Sequence, residues 1–324
     1  TRATESRQGG ELRYVTDVYE TRRSKRHHFY EDVFAFVFGP PVADPPPLTA
    51  EREILASIHQ RDGVLTLTAL QSRTGSSLAE ADQEMARLLG AYQGDVQVSD
   101  EGALVYTFQD LRVTAGEEGK ENTPAPPAWH RLQPQQQLTG NSTGRNVLIG
   151  AMALFTLFMS LVSPLILFPI LNIGAIGVAF LAVIPFFVSV AFFAIPVIRW
   201  FAVSAENRAR HVRNVHRSVL SVVHAHIVSD EPHLVQEAVV GRVREALHKL
   251  NDRPETSRMM TSLSTVGDKE ITRALDAIMK DLEAEPDVDA DGRLTLRFPR
   301  QREELRAAEA ARDQLGRGEV GLEA

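Results

Sequence analysis

The chain has 324 residues, a formal net charge of −7, 44% hydrophobic residues and no cysteine. The missing thiols exclude disulfides, thiolate metal sites and a cysteine nucleophile. The acidic balance disfavours nucleic acid as the main partner.

Residues 1–28 read as a polar N-terminal segment that carries the basic cluster Arg22, Arg23, Lys25, Arg26, His27 and His28. No apolar region follows a basic start, so no cleaved signal peptide is expected. Residues 29–47, beginning FYEDVFAFVFGPP, read as an aromatic amphipathic helix and a Pro-rich linker. Phe29, Val33 and Phe36 follow helical spacing, as do Tyr30, Phe34 and Phe38, and Gly39-Pro40-Pro41 ends the helix. Two placements fit. The cluster and the aromatics Phe34, Phe36 and Phe38 can lie in an anionic lipid interface, or the aromatics can pack on the following domain.

Residues 48–113 are expected to form a winged-helix-like domain. Thr49 opens a helix with Ile54, Leu55 and Ile58, and Gly63-Val64-Leu65-Thr66 is extended. Thr68 with Gln71, and Ser77 with Glu80, are capping-box patterns for two further helices. Val96-Gln97-Val98, the turn Ser99-Asp100-Glu101-Gly102 and Leu104–Phe108 predict a β-hairpin. Residues 114–146, rich in Gly, Pro and Gln, are expected to be a flexible linker. Gly116-Glu117-Glu118-Gly119-Lys120 within it lacks the spacing and the hydroxyl residue of a phosphate-binding loop.

Residues 147–198 contain no Asp, Glu, Lys, Arg or His. One span needs about 20 apolar residues, so this run of 52 predicts two. We place transmembrane helices at 147–168 and 173–198, with a return through Pro169-Ile170-Leu171-Asn172. Arg145 precedes the run, and Arg199, Arg208, Arg210, Arg213 and Arg217 follow it within the orienting window. Both flanks are therefore expected in the cytoplasm, with the hairpin in a bacterial inner membrane. Arg199, Trp200, Arg208 and Arg210 join the N-terminal cluster as membrane-interface candidates. Spans without an ionisable group offer no route for ion transport.

Residues 199–230 read as a juxtamembrane stalk helix. Val212, Val215, Val219 and Val222 on it face either a partner helix in a homo-oligomer or the chain's own domain. Residues 231–300 are expected to form a second winged-helix-like domain. Its helices are placed at Leu234–Leu250, from Pro254, and from an Asp268 cap, followed by a hairpin through Asp289-Ala290-Asp291-Gly292. Asp95-Val96 matches Asp287-Val288, Gly102 matches Gly292, and Leu104, Tyr106 and Phe108 match Leu294, Leu296 and Phe298. This predicts an internal duplication. Residues 301–324 read as a charged helical tail that ends in disorder.

Asp287-Val288-Asp289-Ala290-Asp291-Gly292 has the lettering of a calcium loop. The twelfth position, Phe298, lacks the closing carboxylate, so a hairpin turn is the better reading. Histidines 211, 216, 224, 226 and 233 are expected to be solvated, and His224 and His226 point to different helix faces. The third helix of each domain carries the partner-binding candidates, Glu80, Asp82, Glu84 and Arg87 in one and Lys269, Arg273 and Lys280 in the other. Their surplus of acids repels a phosphate backbone. No catalytic constellation, cofactor loop or metal set is found, so no enzyme is expected.

FYEDVFAFVFGPP, VSDEGALVYTFQDL and FFAIPVIRWF resemble stretches of a family of two-span membrane proteins of cyanobacteria and plastids. The resemblance implies a winged-helix-like domain, two spans and a cytoplasmic domain, in that order, and brings no activity or functional residue. The fold class expected is a mainly α membrane protein, a two-helix transmembrane hairpin flanked by two α+β winged-helix-like domains. The function expected is a scaffold or adaptor for partner proteins, possible as a subunit of a larger membrane complex. The alternative is a membrane-tethered DNA-binding transcriptional regulator.

Overall fold

The computed structural model describes residues 28–40, 49–113, 127–130, 132–229, 231, 233–251 and 266–320. These fall into two compact units, one of residues 49–134 and 211–320, the other of residues 28–40 and 135–210.

The second unit is built on two long helices. α6 (Thr143–Leu171) and α7 (Ala175–Val228) are each long and apolar enough to cross a membrane, and 11% of each apolar window is buried. They follow α1 (Phe29–Phe38) and the helices of residues 49–113 in chain order. The return lies at Asn172-Ile173-Gly174, not at 169–172. Asn172 takes the left-handed conformation at φ 50°, and the Ile173 amide caps the Phe168 carbonyl at 3.1 Å. Pro164 and Pro169 stay inside α6. Residues Ala179–Val183 of α7 widen to a π-helical turn just before Pro185, whose ring lacks a donor for the preceding turn.

The first unit holds two assemblies, each of helices around a three-stranded sheet. One runs α2 (Thr49–His59), β1 (Val64–Leu65), α3 (Leu67–Thr74), α4 (Leu78–Ala91), β2 (Asp95–Val98), β3 (Leu104–Thr107), then α5 (Gln109–Val113). Its antiparallel sheet has the order β1-β3-β2. Ile58, Leu65, Leu70, Met85, Leu88 and Phe108 fill its core. Ser77 and Glu80 form the expected capping box. The cap of α3 is Thr66, which accepts from the Ala69 amide at 3.2 Å, two residues before the expected Thr68.

The other assembly takes its first helix from the end of α7. Val215, Val219, Val223 and Ile227 are buried with Leu275, Ile278 and Phe298, so the stalk and the second domain share one core. Val212 is exposed and Val222 packs at the edge. Next come β4 (Leu234–Val235), α8 (Gln236–Asn251), α9 (Asp268–Asp281), β5 (Glu285–Val288) and β6 (Leu294–Arg297). Leu234 thus opens a strand, and the helix expected from Pro254 lies outside the described residues. Asp268 is the first residue of α9 rather than its cap, and pairs with Arg244.

This sheet has the order β4-β6-β5, as in the first assembly. Asp95 pairs with Thr107 and Glu285 with Arg297, while Val98 pairs with Leu104 and Val288 with Leu294. Backbone register therefore equates Asp95 with Glu285 and Val98 with Val288. The expected match of Asp95-Val96 with Asp287-Val288 is two residues out. Gly102 and Gly292 hold φ 84° and 76° in the two turns, a conformation that favours glycine.

The two assemblies are joined within one unit. α10 (Pro299–Val320), the helix expected of the charged tail, lays Ala308 and Ala311 on Val64 and Val105 of the first sheet. Glu304 on α10 accepts from the Thr68 hydroxyl at 2.8 Å and its amide at 3.2 Å. Asp281 at the end of α9 accepts from the Leu78 amide at 2.8 Å and from Gln71 Nε2 at 3.1 Å. Both carboxylates sit against the first turn of another helix, α4 for Asp281 and α3 for Glu304, where unpaired amides favour negative charge.

The segment before α6 is also ordered where it is described, in contrast to the flexible linker expected. Asn214 exchanges two hydrogen bonds with the backbone of Gln133, both at 2.8 Å. Asn207 does the same with Gln136, at 2.7 and 3.0 Å. A side-chain amide presents one donor and one acceptor, so each asparagine substitutes for a neighbouring strand.

Asp281→Ala and Glu304→Ala are each expected to cost about 2 kcal/mol, because each strands buried or half-buried donors. Glu304→Gln, which keeps an acceptor, is expected to cost less. Thermal unfolding in detergent checks this, and an unchanged midpoint for both alanine variants contradicts the joining role.

Candidate interaction surfaces

Two surfaces collect the residues singled out from the sequence. The first is at the base of the α6–α7 pair. α1 is capped by Glu31, whose carboxylate accepts from the His28 amide at 3.1 Å. Asp32 is buried and pairs with Arg145 at 3.1 Å, and its carbonyl accepts from Asn141 at 2.7 Å. Phe36 stacks on Phe192 of α7 with ring centroids 5.3 Å apart. At Gly39, φ is 88°, a conformation that favours glycine, and the Arg199 guanidinium lies where a Cβ would project. Arg199 also donates to the Leu138 carbonyl.

α1 thus docks on the long helices of its own unit, with one row of aromatics exposed. Tyr30, Phe34 and Phe38 are 67%, 62% and 54% exposed, and the last two rings touch. Trp200 and Phe201, next to Arg199, are also exposed and in edge contact. Arg210 pairs with Glu206 at 2.8 Å, while Arg208 is exposed. The basic residues Arg22, Arg23, Lys25 and Arg26 lie outside the described residues.

The second surface lies between α4 and α9. Leu67, Leu78, Ala79, Asp82, Ala277, Lys280, Asp281 and Arg300 line a cleft of about 570 Å³. The fold brings together two of the expected partner-binding residues, Asp82 and Lys280. Glu80 is committed to the cap of its own helix. Glu84 and Glu51 hold Arg87 at 2.7 and 3.2 Å, and Tyr92 donates to Glu51 at 2.8 Å. The Tyr92 hydroxyl and the Arg87 guanidinium lower the Glu51 carboxyl below its ordinary range. Lys269 and Arg273 are exposed away from the cleft lining. Sequence reasoning missed Asp281 and Arg300. Neither carries a motif, and only the docking of α9 and α10 brings them to the cleft.

The Asp289 turn closes on itself. Asp289 accepts from the amides of Arg293 and Asp291 at 2.8 and 2.9 Å and pairs with the Arg293 guanidinium at 2.9 Å. The Arg293 amide, above all, holds the Asp289 carboxyl below its ordinary range. Among the described residues, no group of three His, Asp or Glu side chains is arranged to hold a metal ion.

The stalk histidines depart from expectation, whereas His233 is exposed as expected. His226 is buried, with its ring edge-on to Phe298, and His224 packs on Trp129 at 4.9 Å between centroids. Burial, and then the nearby Arg61 guanidinium, push the His224 imidazole down to about 4. Burial also lowers His216 and His226. Alternation of histidine with valine and serine hid this, because the helix face that seats a ring depends on which segment packs there.

No protein-family model, curated protein or solved structure matches the chain.

A histidine held neutral in the fold and freer to protonate when unfolded stabilises the protein above its unfolded value near 6.5. That stability is expected to fall as the pH drops from about 6.5 toward 4, by up to about 3 kcal/mol for His224. His224→Phe, which keeps a ring beside Trp129, is expected to flatten the fall in unfolding midpoint over this range. An unchanged slope contradicts the assignment.

Proposed function

We propose that the protein is a membrane-anchored scaffold whose first unit binds partner proteins at the cytoplasmic face. In this reading α6 and the first part of α7 cross the bilayer twice. The arginines from Arg199 to Arg217 favour both flanks inside. The two assemblies are read as duplicated winged helices, supported by their shared element order, sheet order and hairpin register.

One observation carries the choice of partner. The helices a winged helix would offer to DNA, α4 and α9, present acidic or mixed faces on either side of the cleft. α4 has Glu80, Asp82 and Glu84 against Arg87, and α9 has Asp268, Glu270, Asp276 and Asp281 against Lys269, Arg273 and Lys280. Counterion release on DNA requires an excess of Lys and Arg at the contact. A cleft with apolar walls and a few fixed charges suits a protein segment better. The rival reading, a membrane-tethered DNA-binding regulator, is supported only by the helix–strand order.

Two measurements test this. Because the natural chain has no cysteine, Glu101→Cys, Asn172→Cys and Ala290→Cys each give a single thiol. An impermeant maleimide is expected to label Asn172→Cys in spheroplasts, and the other two only after lysis; the reverse pattern overturns the orientation. The full-length protein purified from detergent extract is expected to bring a partner that Ala79→Arg and Ala277→Arg lose together. Tight, salt-sensitive DNA binding with no such partner favours the regulator.

A further inference from the structure

We propose that α1 is an in-plane membrane helix that lies in the headgroup layer with Tyr30, Phe34 and Phe38 turned to lipid. The inference rests on reading α6 and α7 as membrane-spanning, and goes beyond it by assigning a third element to the bilayer. α1 is tied at both ends, and both ties fall at one level. Near its start, Asp32 pairs with Arg145, and at its end Gly39 sits against the Arg199 guanidinium. Arg145 and Arg199 are the two charges that bound the uncharged run. A helix fastened to both crosses the base of the pair at the boundary between charge and hydrocarbon.

Between the ties, Phe36 stacks on Phe192, seven residues inside the uncharged run. Seven helical residues rise about 10 Å, so this contact lies on the hydrocarbon side of the boundary. The opposite sides of the helix differ in the same sense. Asp32 is buried against Arg145, whereas the open face is aromatic and carries no charge among Tyr30, Phe34 and Phe38.

Lipid is the occupant that fits this face. The exposed aromatics belong to the same unit as the exposed apolar residues of α6 and α7, among them Leu148 and Trp200. Aromatic side chains concentrate at the headgroup level, where an apolar ring and a polar edge are both accommodated. A protein occupant would have to displace lipid from a helix fastened to the spans at Arg145, Phe192 and Arg199.

The test uses the full chain in nanodiscs that contain phosphatidylglycerol, with spin labels on Phe34→Cys and Phe38→Cys. Leu165→Cys, on the exposed side of α6, reports the spans, and Glu101→Cys reports an aqueous site. At 34 and 38, oxygen is expected to relax the label more strongly than a water-soluble nickel chelate, as at 165 and opposite to 101. If 165 itself responds to nickel, the spanning reading fails. If 165 reads lipid while 34 and 38 respond mainly to nickel, or are shielded from both reagents, this inference alone is overturned. Shielding from both would assign the face to a protein partner or a second copy.

Discussion

One helix, Ala175–Val228, must satisfy two environments, and the rest of the structure follows from how it does so. Its first part is apolar on every face and carries no ionisable group up to Arg199. A helix of that kind hydrogen-bonds its own backbone and needs no water. Its last part changes period. Valines gather on one side and are buried at Val215, Val219 and Val223, with His226 beside them on Phe298, while arginines occupy other faces. No break separates the two parts, so the second assembly has no first helix of its own. A stalk in sequence is a core element in structure.

The second organising feature is the pair of carboxylates at helix starts. Asp281 and Glu304 come from the C-terminal assembly, yet satisfy amides of α4 and α3 in the N-terminal one. Burial raises the Glu304 carboxyl, opposed by the Thr68 hydrogen bonds. The contact is therefore a compromise between desolvation and the field of the helix start. With the alanine face of α10 on Val64 and Val105, it makes one body of two similar assemblies and forms the cleft beside α4 and α9. Two independent winged helices would each expose a free third helix. Here the two third helices share one concave surface, which is why the scaffold reading centres on a single site.

α1 illustrates a limit of periodicity. Its two aromatic rows are visible in the sequence, but which row faces protein is decided by Asp32. A carboxylate on an otherwise apolar helix has to find a cation, and Arg145 is the one it reaches. That pairing turns Phe36 inward and leaves Tyr30, Phe34 and Phe38 open.

Local chemistry was legible from the residues alone. The absence of charge between Arg145 and Arg199 delimited two long apolar helices, because one ionisable group in that run would have been costly to bury. Ser77 with Glu80 marked a helix start, and Gly102 and Gly292 marked turns, since the backbone conformations involved admit few other residues. What only the tertiary structure decided depends on contacts between distant segments. It moved the return to Asn172, where an αL cap satisfies the last carbonyls, and moved the cap of α3 to Thr66 once Thr68 was taken by Glu304. It packed His224 against Trp129, strapped Gln133 and Gln136 to asparagines, and paired the hairpins two residues from the best match of letters. These last choices fell to partners far away in the chain, which local spacing does not identify.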